Sequence, residues 1–222
     1  MPQQLTFDLP AGVALSAGDY FVSRANATAY AMVTHPDSWP DGKLVLTGPH
    51  GAGKSHLARI FAAQNNAAIV AAADLTEADQ HPDTAMVVED AEGLTRAGET
   101  VLFHLHNHML QARLPLLITA KSPPVRWDLT LPDLASGMQA TTPASVDDPD
   151  DDLLMAIIMK LLADRQLRYA PDLPSYLTQR IERTFAAAEA IVIALDEAAL
   201  RDKRKINTRL AHNVLTARQS NN

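Results

Sequence analysis

The stretch Gly48-Pro49-His50-Gly51-Ala52-Gly53-Lys54-Ser55 leaves few folds open to this chain. It satisfies every fixed position of the phosphate-loop pattern G-x-x-x-x-G-K-[ST]. Ahead of it, Lys43-Leu44-Val45-Leu46-Thr47 is a short apolar run that reads as a buried strand. Behind it, from Ser55, Leu57, Ala58, Ile60, Phe61 and Ala62 recur at helical spacing. A strand, a glycine turn and a helix in that order give the pattern its mechanism. Gly48, Gly51 and Gly53 let the backbone turn sharply and gather N–H groups around one concavity, at the positive end of the helix. Lys54 adds a full charge and Ser55 a hydroxyl suited to Mg²⁺. One unit-charge contact at about 4 Å, with an effective dielectric near 20, is on the order of 4 kcal/mol before desolvation, which makes Lys54 central to holding a triphosphate. Pro49, His50, Ala52 and His56 complete the candidate nucleotide-binding set.

The apolar pattern then repeats. Ala68 to Ala72, Thr84 to Val88 and Leu114 to Thr119 read as strands, the last stopped by Pro123-Pro124, with a helix over Val101 to Ala112 between the third and fourth strands. A weaker fifth strand is expected within Met138 to Val146. Strands alternating with helices predict an α/β fold, a parallel sheet covered by helices, because parallel crossovers need a helix to return the chain. After Ala144 the sheet pattern ceases. Asp147, Asp148, Asp150, Asp151 and Asp152 precede a helix whose apolar stripe is Leu153, Leu154, Ile157, Ile158, Leu161 and Leu162, so the acids read as capping and dipole-complementing residues. Helices over Leu173 to Glu182, Thr184 to Leu200 and Thr208 to Arg218 complete a small all-α bundle. The expected organisation is an N-terminal peptide over 1–12, an α/β nucleotide-binding base over 13–146 and a helical lid over 147–222.

A phosphate loop needs an acidic partner for its metal, normally at the end of a neighbouring apolar strand. Met86-Val87-Val88-Glu89-Asp90 supplies one. Glu89 is the candidate Mg²⁺ ligand, directly or through water, and Asp90 the candidate that polarises an attacking water; the two roles are interchangeable on sequence alone. His104, His106 and His108 read as surface or packing histidines, since His106 falls on a different side of the helix and no acid lies in 101–113. Arg201, Lys203, Arg204, Lys205 and Arg209 read as a solvated basic helix end, with anion or nucleic-acid contact as the alternative. With 19 basic and 26 acidic residues the net charge is −7, which argues against direct DNA binding through overall positive charge. The absence of cysteine excludes disulfides and thiolate sites, and no run of 18 apolar residues occurs, so a cytoplasmic protein with no membrane partner is the expectation.

Taken together, these motifs resemble the AAA+ ATPases of the DnaA/Hda family, with the short Hda branch nearest. The resemblance spans nearly the whole chain. Tyr20-Phe21-Val22-Ser23-Arg24-Ala25-Asn26 is similar to the family's adenine-side segment, which implies contacts from Phe21 and Val22. Leu117-Ile118-Thr119-Ala120-Lys121-Ser122-Pro123-Pro124 is similar to its sensor 1 strand and Pro-Pro exit, and Leu131-Pro132-Asp133-Leu134-Ala135-Ser136 to the segment before its arginine finger. The tail from Leu195-Asp196 to Lys205-Ile206 resembles the end of the lid. Gln4-Leu5-Thr6-Phe7-Asp8-Leu9 looks like a peptide that docks on the DNA polymerase sliding clamp, with Leu5, Phe7 and Leu9 entering an apolar pocket and Gln4 bonding at its rim.

The resemblance implies ATP or ADP with Mg²⁺ as cofactor, a DnaA-type initiator and the sliding clamp as partners, a possible homo-oligomer, and a role in regulating replication initiation. An ADP-bound scaffold and an autonomous P-loop ATPase or kinase are the competing readings. Three positions depart from the family pattern. Gly137 stands where an arginine finger is expected, Ala187 where the sensor 2 arginine is expected, and Lys121 where sensor 1 carries an acid. An arginine finger contributes roughly 10³ to 10⁵ in rate, so these departures imply hydrolysis that is weak or absent.

Overall fold

A computed structural model describes residues 20–202 and 205–219. The clamp-like residues Gln4, Leu5, Phe7 and Leu9 lie outside the described residues, as do Lys203 and Arg204 of the basic cluster. The chain divides into two compact units, Val22–Asp150 with Arg183–Ala186, and Asp151–Glu182 with Tyr20, Phe21 and the residues from Ala187 onward.

The first unit is built on five parallel strands: β1 (Lys43–Thr47), β2 (Ala68–Ala71), β3 (Met86–Glu89), β4 (Leu116–Ala120) and β5 (Thr142–Ser145). Their spatial order is β2-β3-β4-β1-β5, so β1 is internal and pairs with both β4 and β5. That position explains its uninterrupted apolar sequence: every residue of β1 is buried, because helices cover both faces. Four helices do so, α1 (Ala27–Thr34), α2 (Lys54–Asn65), α3 (Arg96–Ala112) and α4 (Pro132–Ala140). On one face Val45, Met86, Val88, Leu116 and Ile118 pack with Leu102, Leu105 and Met109 of α3 and Leu134 and Met138 of α4. The alternate strand residues Leu44, Leu46, Val87 and Leu117 are equally buried on the other face, where α2 presents Leu57, Ala58 and Phe61 and touches β3 and β4. β5 contains Pro143, which is tolerated because the strand is an edge.

Several element limits differ from expectation. The third helix starts at Arg96 instead of Val101, since Thr95 caps it by accepting the Gly98 amide at 3.0 Å and thereby carries a glycine inside the first turn. β3 begins at Met86 and extends to Glu89, while β4 runs one residue beyond Thr119.

The second unit holds α5 (Asp151–Asp164), α6 (Leu173–Thr178), most of α7 (Phe185–Asp202) and α8 (Thr208–Gln219). Its own core includes Leu154, Ile158, Leu162, Leu173, Leu177, Ile191, Val192, Leu195 and Leu210. Asp151 and Asp152 occupy the first turn of α5, the place where acids offset exposed N–H groups. α6 stops at Thr178 instead of Glu182; the Arg180 and Ile181 amides there turn back onto the Leu177 carbonyl at 2.9 and 3.0 Å. Among the described residues no helix is long and apolar enough to cross a membrane.

Candidate functional site

The glycine turn follows β1 directly. Gly48 is buried, and a Cβ there would lie 2.9 Å from the Val146 carbonyl oxygen, too close for any other residue. Gly51 and Gly53 hold φ of 79° and 83°, a region costly for side-chain-bearing residues, and Gly53 immediately precedes α2. Within the turn the Ala52 amide bonds the Pro49 carbonyl at 3.3 Å. The amides of Gly51, Gly53, Lys54 and Ser55 find no acceptor among the described residues. Such a run of uncommitted donors at a helix start is the arrangement that an anion completes. Pro49, His50 and Gly51 are exposed, Ala52 is buried, and Gly53, Ser55 and His56 are half-buried.

Lys54 is only 7% exposed and its Nζ donates to the carbonyls of Gly48 at 2.8 Å and Pro49 at 3.0 Å. Its ammonium is thus held inside the turn by the turn's own oxygens. Burial lowers its pKa below the usual lysine value; Asp90, Glu92 and, more weakly, Glu89 oppose the fall, while the charge of Lys121 adds to it. Three acids and a second lysine therefore lie within electrostatic reach of Lys54.

β4 separates β1 from β3 and sets the spacing of these groups. Glu89 ends β3 and keeps its Oε1 buried with no hydrogen-bond partner. A buried carboxylate oxygen left unpaired is costly unless a cation or water meets it, which fits the metal role expected of Glu89. Asp90, the next residue, takes φ 55° and donates its amide to Thr119 Oγ1 of β4 at 3.2 Å. Glu92 was not among the candidates from sequence. Its Oε1 accepts the Lys121 amide and, at 2.8 Å, the Ser122 amide, tying the β3 exit to the β4 exit. Proximity in the chain to Glu89 and Asp90 was the only sequence signal for it.

Loop, lysine and acids thus meet at one edge of the sheet, as the sequence pattern requires. Val22 is 43% exposed ahead of α1, and Phe21 is half-buried. Gly137, on α4, faces the His106 ring of α3: a Cβ at 137 would stand 3.3 Å from His106 Cε1. His106 in turn receives a hydrogen bond from Lys43 Nζ at 3.0 Å, and Thr141 Oγ1, 3.4 Å from the same ring nitrogen, donates to the Gly137 carbonyl at 2.9 Å. Burial, with the adjacent Lys43 charge, pushes the His106 pKa down to about 4. His108 approaches the Pro82 carbonyl at 3.0 Å and packs edge-on against His81, while His104 is exposed. The three histidines thus have three separate environments.

No protein-family model matches the chain, and no curated protein matches it. Solved structures do. Domain III of the replication initiation protein DnaA from Thermotoga maritima superposes with a TM-score of 0.70 at 17% identity, over 89% of this chain and 94% of that one. The fold is that of an AAA+ P-loop NTPase. AMPPCP-bound DnaA from Aquifex aeolicus gives a TM-score of 0.63 at 16% identity, covering 83% of this chain and 66% of the other. A variant of Thermotoga maritima RuvB gives 0.62 at 17% identity, over 89% and 70%. Both kinds of neighbour share the five-stranded parallel AAA+ sheet flanked by helices.

Proposed function

We propose that this AAA+ chain binds ATP or ADP with Mg²⁺ and acts as a nucleotide-dependent regulator of replication initiation, engaging a DnaA-type initiator and the polymerase sliding clamp. The observation that carries the nucleotide part is the pairing of the Gly48–Ser55 turn, with its unmatched amides and buried Lys54, with the orphaned Glu89 carboxylate at the same sheet edge. The turn's amides and Lys54 would cradle the phosphates. Ser55 and Glu89 would hold the cation, which supplies charge neutralisation between phosphate oxygens. Asp90 would polarise water, and Phe21 and Val22 would border the base. On binding, Lys54 would exchange two neutral carbonyl acceptors for anionic phosphate oxygens, so that both partners of its hydrogen bonds carry charge.

The replication role is supported by the sequence resemblance and by the DnaA fold likeness. Gly137 favours a binding regulator over a strong catalyst, because α4 carries no lysine or arginine and its Gly137 backbone is packed on His106. The same observation favours a second reading, an ADP-holding scaffold; bound ADP that never exchanges would select it. The test of the nucleotide site is titration of ATP and ADP, with and without Mg²⁺, onto wild type and Lys54→Ala. Binding by wild type and its loss in the variant are expected; equal affinity of the two proteins would contradict the assignment.

A further inference from the structure

The two edges of the sheet are defended differently. β5 closes one edge with Pro143 inside the strand and Asp147, Asp148 and Asp150 just beyond it, devices that discourage a further strand from pairing there. β2, at the other edge, has none of them: from Ile60 to Ala73 the chain carries no charged residue, no proline and no glycine. Ala68, Ile69 and Ala71 are exposed, Ile69 by 41% of its surface. In a parallel pair each bonding residue turns both its N–H and its C=O to the neighbouring strand, and the Ala68 amide donates to the Ala85 carbonyl at 3.2 Å. Ala68 and Val70 therefore face β3, while Ile69 and Ala71 present their N–H and C=O groups away from the sheet.

We propose that β2 is the contact edge of a symmetric dimer, in which β2 of a second copy of this chain pairs antiparallel with it and joins the two sheets into one. The inference rests on the fold and is independent of the nucleotide reading. A two-fold axis normal to the sheet keeps each face on its own side, so residues opposite one another share a face and the pairing centres on a residue opposite its own copy. Ile69 is the outward-facing residue inside β2, so it exchanges both backbone bonds with Ile69 of the partner subunit. That centring sets Ala71 opposite Ala67. It also brings together the two Ile69 side chains, which are level with Val87 on the α2 face, with Cα atoms about 5.5 Å apart. A second copy suits this edge because the match is apolar to apolar and small to small, with no charge to select a partner of opposite sign. Each copy carries a net charge of −7, so two copies approach with least repulsion where no side chain is charged. A four-residue strand makes a small interface, so the dimer is a weak one that dissociates on dilution.

The experiment follows the full chain, without added nucleotide, by sedimentation velocity from micromolar to millimolar concentration, beside Ile69→Lys, Ile69→Glu and Ala71→Pro, with circular dichroism confirming that each is folded. Ile69 is already exposed, and Ala71 has φ −75°, a value proline adopts while removing only the outward amide. Wild type should dimerise as concentration rises, and each variant alone should weaken the dimer at least about tenfold. An equimolar mixture of Ile69→Lys with Ile69→Glu should recover it, because the two-fold axis sets this position opposite itself. A wild type that stays monomeric at every concentration, a dimer that survives all three substitutions, or a mixture no more associated than either variant alone would overturn the proposal.

Discussion

His106 shows how a single side chain acquires its chemistry from what surrounds it. Its ordinary pKa is 6.5, and burial together with the Lys43 ammonium brings it to about 4 in the folded protein. Because the folded value is depressed, the unfolded chain binds more protons between those two pH values. The stability this ring contributes is therefore full above pH 6.5 and is lost as pH falls toward 4. For a ring that keeps partial solvent access, the loss is on the order of 2 kcal/mol. Urea denaturation of wild type and His106→Gln at pH 7 and pH 4.5 measures it: wild type should lose more stability between the two than the variant. Parallel pH slopes would show that burial and the Lys43 charge do not depress the ring's pKa in the folded protein. The spacing of His104, His106 and His108 placed His106 on a different side of the helix from the other two. It could not reveal that Lys43, far away in the chain, supplies the neighbouring charge.

At the scale of elements, the link between β4 and α4 depends on a helix that begins before its expected start. Extending α3 back to Arg96 puts Glu99 in its first turn, 3% exposed, where its Oε2 accepts the Thr130 amide and hydroxyl at 2.8 Å and the Leu131 amide at 3.0 Å. Burial by itself would raise the Glu99 pKa, but those donors, with help from Arg96, hold it below the ordinary carboxylate value. Its stabilising effect is accordingly present above the unfolded pKa and lost as acid protonates it. Glu99→Ala leaves buried donors unmatched and should destabilise the protein by about 2–4 kcal/mol, with Glu99→Gln recovering part, as read from urea midpoints. A loss below about 0.5 kcal/mol for the alanine variant would show that water replaces the carboxylate without penalty. The true start of α3 was hidden because Gly98 and Thr95 lower helix propensity locally, and the Thr95 cap that offsets this is a tertiary-independent but subtle signal. β5 was visible only weakly since an edge strand with a proline and alternating exposure lacks the solid apolar run of β1.

Across the molecule, every described group assigned to the phosphates and the cation falls within Val22–Asp150. The clamp-like peptide Gln4 to Leu9 precedes that unit in the chain. Nucleotide binding and clamp docking, as proposed, thus draw on separate stretches of the sequence. Deleting residues 1–12 should leave the ATP and ADP affinities within about twofold of wild type and abolish binding to the sliding clamp, measured by surface immobilisation of the clamp. Clamp binding that survives the deletion would remove the peptide from the account.

Local pattern sufficed for the parts of this protein whose information is local. A glycine-rich turn between an apolar strand and an amphipathic helix carries its own conformational demands, so the loop, the order of strands and helices, and Glu89 at a strand end could be read directly from residues 43–90. Contacts between residues far apart along the chain leave no such mark. Only once the strands took the order β2-β3-β4-β1-β5 did Lys121 come beside Gly48, Glu92 bridge two strand exits, and Gly137 settle against His106. Strand order is decided by how both sheet faces bury their apolar residues together, a global balance that no single stretch of sequence encodes.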